Sequence, residues 1–196
     1  MNTIGTFFLR ARHWQLFSLF MGLYMLGGVF GLAADSVASA RSGGISPSLV
    51  VGETLWVLWM VCFMGWIAST GLFLNKLKGA PVRSKTGVFW FAVVYPTLFI
   101  VVFVSLFFSN SAPASPWIVV PPSLLATFCI FYAVYFAAKS MVMVDASRLL
   151  TLYDFAGPLF LILLFPLGIW FVQPRINRLY AQSKDAQAGA QPAALQ

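Results

Sequence analysis

The amino-acid sequence predicts an all-α integral membrane protein. Of its 196 residues, 60% are hydrophobic and only 9% carry a charge, whereas about a quarter of the residues of a soluble domain are charged. The apolar residues form runs of about 20, the length that an α-helix needs to cross a bilayer. Lysine and arginine flank these runs in short loops, which is the pattern of the positive-inside rule. These three observations place most of the chain in lipid.

Five hydrophobic helices account for these runs: four firm spans, and a last segment that is either a kinked span or a re-entrant hairpin. The predicted segments cover residues 15–34, 53–74, 87–108, 118–138 and 155–173. We expect residues 1–14 to form a cytoplasmic N-terminus and residues 15–180 to form a single transmembrane domain. The tail, residues 181–196, is rich in Ala and Gln and is predicted to be disordered.

The first span follows two basic residues, Arg10 and Arg12, which resemble the n-region of a signal peptide. A loose A-x-A match at residues 38–40 lies too far along the chain for the usual cleavage position, so we expect the span to be retained. Within it, Gly27 and Gly31 have the G-x-x-x-G spacing that lets a second helix approach closely. Packing inside the chain is a commoner use of that spacing than dimerisation.

The second span is predicted to start at Ser46-Pro47, with serine as the cap and proline at the first helical position. Its large side chains share one broad arc of the helix and its small ones share the neighbouring arc. The large set is Trp56, Trp59, Phe63, Trp66 and Phe73, and the small set is Cys62, Gly65 and Ser69. We expect the large face to meet lipid and the small face to meet another helix.

Prolines mark the third and fourth spans. Pro96 predicts a kink in the third, and either Pro116 or the pair Pro121-Pro122 can start the fourth. Residues 140–153 then place apolar residues at helical spacing together with two charged residues, and they predict a short amphipathic helix at the membrane surface. Asp145 and Arg148 are three residues apart and can pair on one face of this helix. Asp154 can cap the helix that follows.

The cations predict the topology of the chain. The loop at residues 75–86 carries four cations and no acid, so it is expected in the cytoplasm together with the N-terminus. Up to residue 154 this arrangement puts eight cations inside and one, Arg41, outside. If the last segment crosses the bilayer, Arg175, Arg178 and Lys184 emerge outside. If it turns back at Pro166, they stay inside.

Length and charge disagree about this last segment. The 18 apolar residues of 155–172 would form a helix of about 27 Å, close to a full hydrocarbon core. Non-helical backbone at membrane depth is tolerated only when protein buries it, and charge bias is a weaker determinant at a late span than at the first. We therefore expect a kinked fifth span and keep the re-entrant hairpin as the alternative.

The end of this segment carries a recognisable motif. The residues F-P-L-G-I-W-F-V-Q-P-R-I-N at 165–177, together with H-W-Q-L-F at 13–17, resemble small multi-span bacterial membrane proteins with an F-P-x-G-[I/V]-W-x-x-Q-P-R-[I/L]-N ending. The resemblance implies a location in the bacterial inner membrane. It implies no activity.

The residue types make catalysis an unfavoured hypothesis. All five acids lie at span ends or in loops, whereas an intramembrane enzyme or proton relay needs polar groups within the bilayer. We expect no cofactor, no metal and no nucleic acid. The leading hypothesis is an accessory, assembly or scaffold subunit that acts through helix and lipid contacts, and the alternative is a small transporter or channel component with a path between proline-kinked helices.

The polar residues around the last segment are the candidate docking site for a membrane-protein partner or for anionic lipid headgroups. The candidate residues are Asp145, Arg148, Asp154, Trp170, Gln173, Arg175, Asn177 and Arg178. Ordinary interfacial anchoring is the commoner role of such cations.

Overall fold

The chain folds into α-helices throughout the part described by the computed structural model, residues 3–38, 47–77, 86–108, 115–145 and 152–190. The helices are α1 (Thr3–Arg10), α2 (His13–Ala38), α3 (Pro47–Leu77), α4 (Thr86–Phe108), α5 (Pro116–Asp145), α6 (Leu152–Leu163) and α7 (Phe165–Ala190). The predicted all-α fold class is confirmed.

Four of these helices are long and apolar enough to cross a membrane. The spanning segments are His13–Ala33, Pro47–Leu77, Thr86–Leu106 and Pro116–Val144. The shortest has 21 residues and is therefore about 31 Å long, which matches the hydrocarbon core of a bilayer. The chain is a multi-pass membrane protein.

Proline sets the start of two of these helices. α3 begins at Pro47 and α5 at Pro116, where the missing backbone N–H costs nothing because the first helical N–H groups have no partner in the helix. Of the two starts considered for the fourth span, the chain uses the earlier one. Pro121 and Pro122 lie inside α5.

The described residues belong to two compact units. One, which we call the terminal unit, comprises residues 1–17, 66–84 and 134–196, and the other, the middle unit, comprises residues 18–65 and 85–133. Helices α2, α3 and α5 contribute residues to both units, whereas α1, α6 and α7 lie entirely in the terminal unit.

In the middle unit, glycines bring α2 and α3 into close contact. A Cβ atom on Gly52 would lie 3.0 Å from the backbone nitrogen of Gly31 and 3.2 Å from the carbonyl oxygen of Gly27. A Cβ on Gly27 would lie 3.0 Å from Trp56. The G-x-x-x-G pair therefore packs inside the chain, as expected.

The large side chains of α3 do not all face lipid, and that expectation was wrong. Phe63, Trp66 and Phe73 are buried. Phe63 packs edge-to-face on Phe20 and Phe73 packs edge-to-face on Tyr180. Aromatic pairs of this kind stabilise beyond the area they bury, and an indole N–H needs an acceptor that lipid tails lack.

The last hydrophobic stretch breaks at Leu164 into α6 and α7, which pack against each other. Pro166 has no backbone N–H, so the helix cannot continue its hydrogen bond to Ile162. After the break, Gly168 lies so close to α6 that a Cβ atom on it would overlap the carbonyl oxygen of Leu161. A continuous helix would hold these two residues about 10 Å apart. The chain therefore bends sharply at Leu164 instead of continuing as one helix, which favours the hairpin, the second of the two alternatives, over the kinked span.

Two helix boundaries differ from the expectation. α5 continues without interruption through Ser140, Met141 and Val142, all buried, because the apolar residues here pack within the chain instead of forming a separate amphipathic helix. Residues 146–151, the rest of that predicted helix, lie outside the described residues. At the other end, α7 stays helical as far as Ala190, in keeping with the high helix propensity of its Ala, Gln and Lys residues.

Candidate functional site

The N-terminal segment forms a short helix, α1, that ends just before the first span. The chain breaks at Ala11 and Arg12, and such a break leaves the last carbonyls of α1 and the first N–H groups of α2 without helical partners. Two of these groups are satisfied locally: the Ala11 N–H donates to the Phe7 carbonyl at 2.9 Å, and the Arg12 N–H donates to Gln15 Oε1 at 2.9 Å.

Two of the remaining carbonyls are satisfied by Gln173 of α7. Its Nε2 atom donates to the Phe8 carbonyl at 2.9 Å and to the Ala11 carbonyl at 3.0 Å, and it also lies 3.0 Å from Asn177 Oδ1. The side chain is fully buried, with 0% of its surface exposed. Since Nε2 has two hydrogens for three acceptors, one bond is shared. Gln173 thus caps α1 from a position 162 residues away.

The oxygen of the same amide holds α3. Trp66 Nε1 donates to Gln173 Oε1 at 3.0 Å, and Trp66 is only 2% exposed. An indole can only donate and a backbone carbonyl can only accept. The two sets of partners therefore require this orientation of the amide.

Asn177 completes the network one helical turn further along α7. Its Nδ2 donates to the Ala11 carbonyl at 3.2 Å, and residues four apart share a helix face. Ile176 is also fully buried. The Q-P-R-I-N motif therefore supplies two amides and an apolar residue to the interior, and we call Trp66, Gln173 and Asn177 with the Phe8 and Ala11 carbonyls the amide lock.

The contacts also give the direction of α7. Trp66 meets Gln173, and seven residues later in each helix Phe73 meets Tyr180 with ring centroids 5.4 Å apart. Two helices that keep the same offset run parallel. Tyr180 therefore lies beside the C-terminal end of α3, and the Arg10 guanidinium at the end of α1 lies 5.9 Å from the Tyr180 ring.

The structure also describes the candidate tryptophan and two candidate cations of α7. Trp170 packs on His13 at 4.7 Å and on Phe17 at 5.8 Å between ring centroids, so one side of its ring contacts the start of α2. Arg175 is half-buried and Arg178 is exposed.

The predicted acidic partners are not part of the described site. Asp145 ends α5 and Asp154 lies in the first turn of α6, but their side chains lie outside the described residues. Arg148 lies outside them altogether. The predicted pairing of Asp145 with Arg148 and the predicted capping by Asp154 stay predictions.

The chemistry of the lock is structural. Amides and indoles neither gain nor lose protons near neutral pH, so the network holds three helices together and carries no acid or base. Across the described ranges, no three His, Cys, Asp or Glu side chains are grouped to hold a metal ion. In the middle unit, the Tyr95 hydroxyl beside Pro96 donates to the Pro122 carbonyl at 3.2 Å and so joins α4 to α5.

Sequence reasoning identified the Q-P-R-I-N ending but missed its partners. Two signals in the sequence could have indicated these partners. The first is the i, i+4 spacing of the amides Gln173 and Asn177, and the second is the indole N–H of Trp66, which needs an acceptor within an apolar helix. The Phe8 and Ala11 partners are backbone carbonyls, which have no signature in sequence.

Comparisons with family models, with curated proteins and with solved structures find no match to this chain.

Proposed function

We propose that this chain is a non-catalytic accessory, assembly or scaffold subunit of the bacterial inner membrane that acts through helix and lipid contacts. The amide lock is the observation that carries the proposal. It commits the two amides of the distinctive C-terminal motif to holding α1, α3 and α7 together. The side chains that α7 presents to its surroundings include Phe171 and Arg178.

The hairpin suits a segment that enters the bilayer from one side and returns to it. α6 has 12 residues and is about 18 Å long, more than half of a hydrocarbon core of about 30 Å. The return helix runs parallel to α3, whose last turn carries Lys76. With the loop after α3 in the cytoplasm, the hairpin keeps Arg175, Arg178 and Lys184 inside with it, as the positive-inside rule favours.

The sidedness of the C-terminus tests the topology in this proposal. A reporter fused after Gln196 that is active only in the cytoplasm should give full activity, equal to a fusion in the loop after α3. A reporter that is active only outside should be silent there and active in the loop after α2. The opposite pattern at the C-terminus would refute the re-entrant threading.

The accessory role is tested by crosslinking from the outward face of α7. A photo-crosslinking amino acid replaces Phe171, which is 67% exposed, or Arg178, and a matched control carries it at Leu32 of α2, which is 73% exposed. We expect both α7 positions to capture one and the same membrane protein in native membranes, with lipid adducts alone from Leu32. A monodisperse monomer with no crosslinked protein from either α7 position would contradict the accessory role.

A further inference from the structure

We propose that Arg10, Tyr180 and Lys184 form a binding site for the phosphate of an anionic membrane lipid. These residues come from the end of α1 and the C-terminal part of α7, in the terminal unit. The inference deepens the proposed function, since it names one of the lipid contacts.

The ring of Tyr180 gathers two cations. The Arg10 guanidinium lies 5.9 Å and the Lys184 ammonium 5.6 Å from its centroid. Each distance is within the range of a cation–π interaction. Both are measured to one centroid, so the two charges are at most 11.5 Å apart, and an anion bound at the ring would interact favourably with both.

No described residue supplies that anion. Neither Arg10 nor Lys184 makes an ion pair with a described acid, and Asp185, the next residue after Lys184, is exposed and unpaired within the same ranges. Both cations are exposed. An external anion can therefore reach them.

The remaining groups fit a phosphodiester at the membrane surface. The Tyr180 hydroxyl has no hydrogen bond to any described residue and can donate to a phosphate oxygen. Its ring packs edge-to-face on Phe73, with the ring centroids 5.4 Å apart, which limits the movement of the ring. Arginine and lysine close to an anionic membrane contribute about 1 kcal/mol each, so each cation is worth about fivefold in affinity.

A lipid, rather than free phosphate, is the occupant we expect. Tyr180 lies two turns beyond Gln173 on a helix that leaves the hairpin, and tyrosine and cationic side chains concentrate at headgroup level. An acyl chain next to the phosphate can then cover the apolar side chains nearby, which inorganic phosphate cannot do.

The test is native mass spectrometry of the full-length protein, delipidated in detergent and titrated with phosphatidylglycerol, with phosphatidylcholine and with inorganic phosphate. We expect a saturable phosphatidylglycerol complex. Arg10→Gln and Lys184→Gln should each weaken it about fivefold, the double variant more than tenfold, and Tyr180→Phe by a smaller factor. Lys76→Gln removes an exposed cation from the end of α3 that is not one of the two described over the Tyr180 ring, and is the control for net charge that should leave the affinity within twofold.

Three outcomes would overturn the inference. They are equal binding of phosphatidylcholine, displacement of the lipid by millimolar inorganic phosphate, and an effect of Lys76→Gln as large as that of Arg10→Gln. The unfolding curve of each variant should agree with that of the parent protein within error. A loss of affinity then reports the missing side chain and not a loss of folding. Because no partner protein takes part, this test can fail while the crosslinking test succeeds, and the reverse.

Discussion

Replacement of Gln173 by leucine is the most direct test of the amide lock. Leucine keeps approximately the volume of the side chain but has no polar atom, so the Trp66 indole loses its acceptor and the Phe8 carbonyl loses its donor. The Ala11 carbonyl keeps the longer bond from Asn177, at 3.2 Å. Two buried polar groups are thereby orphaned, the bonding of a third is weakened, and the half-buried Asn177 Oδ1 loses its donor, 3.0 Å away.

The expected loss of stability follows from these groups. Hydrogen bonds between helices in membranes are worth about 0.6 kcal/mol on average and up to about 1.7 kcal/mol, and an orphaned buried group also costs desolvation. Gln173→Leu should therefore lower the free energy of unfolding by about 2–4 kcal/mol. Asn177→Ala, which removes the longest of the bonds from a half-buried residue, should cost less than about 1 kcal/mol.

The assay is reversible unfolding in mixed detergent–lipid micelles with increasing sodium dodecyl sulfate, followed by tryptophan fluorescence. Trp66→Phe combined with Gln173→Leu should cost less than the sum of the single changes by about 1 kcal/mol, since both remove one hydrogen bond. A Gln173→Leu variant that unfolds within about 0.5 kcal/mol of the parent would show that the lock contributes little, and additive costs would show that the Trp66 bond does not form.

Three further substitutions test close approaches elsewhere, each by the same unfolding assay. Gly168→Ala pushes a methyl group into the Leu161 carbonyl and should lower the free energy of unfolding by about 3 kcal/mol or more. The control Gly157→Ala, where a Cβ would meet no atom within 4 Å, should be neutral or stabilise by up to about 1 kcal/mol. Equal effects of the two substitutions would contradict the hairpin. Gly52→Ala should lower the free energy of unfolding by about 1–2 kcal/mol because the atom 3.0 Å from its Cβ position belongs to the backbone. If Gly52→Ala costs no more than Gly157→Ala, α2 and α3 are not in close contact. Tyr95→Phe should cost about 0.6 kcal/mol, and a stabilising effect would mean that its hydroxyl is not bonded.

Local chemistry made part of the fold predictable. The starts of α3 at Pro47 and α5 at Pro116 follow from the fixed φ of proline and its missing donor. The contact of Gly27 and Gly31 with α3 follows from the space that glycine leaves for a backbone. These signals act within one helix or between helices adjacent in sequence.

The threading of the last stretch could not be predicted in this way. Its length favoured a span and its cations favoured a return, and charge bias is a weaker determinant at a late segment than at the first. The observations that favour the return are the close approach of Gly168 to the Leu161 carbonyl and the hydrogen bond from Gln173 to the end of α1. Both are tertiary contacts made through backbone atoms. The wrong expectation for Trp66 has the same origin, since its acceptor lies 107 residues away.

The amide lock also implies an order of assembly. The Phe8 carbonyl is bonded by a residue 165 positions later, so it has no such partner until α7 is in place. Until then that carbonyl requires water, because an unsatisfied polar group in hydrocarbon costs several kcal/mol. In the proposed re-entrant threading, α1 would therefore stay at the hydrated surface until α7 lies beside α3. A crossing fifth helix would carry Gln173 away from that surface, which is why the re-entrant threading and the docking of the N-terminal helix depend on each other.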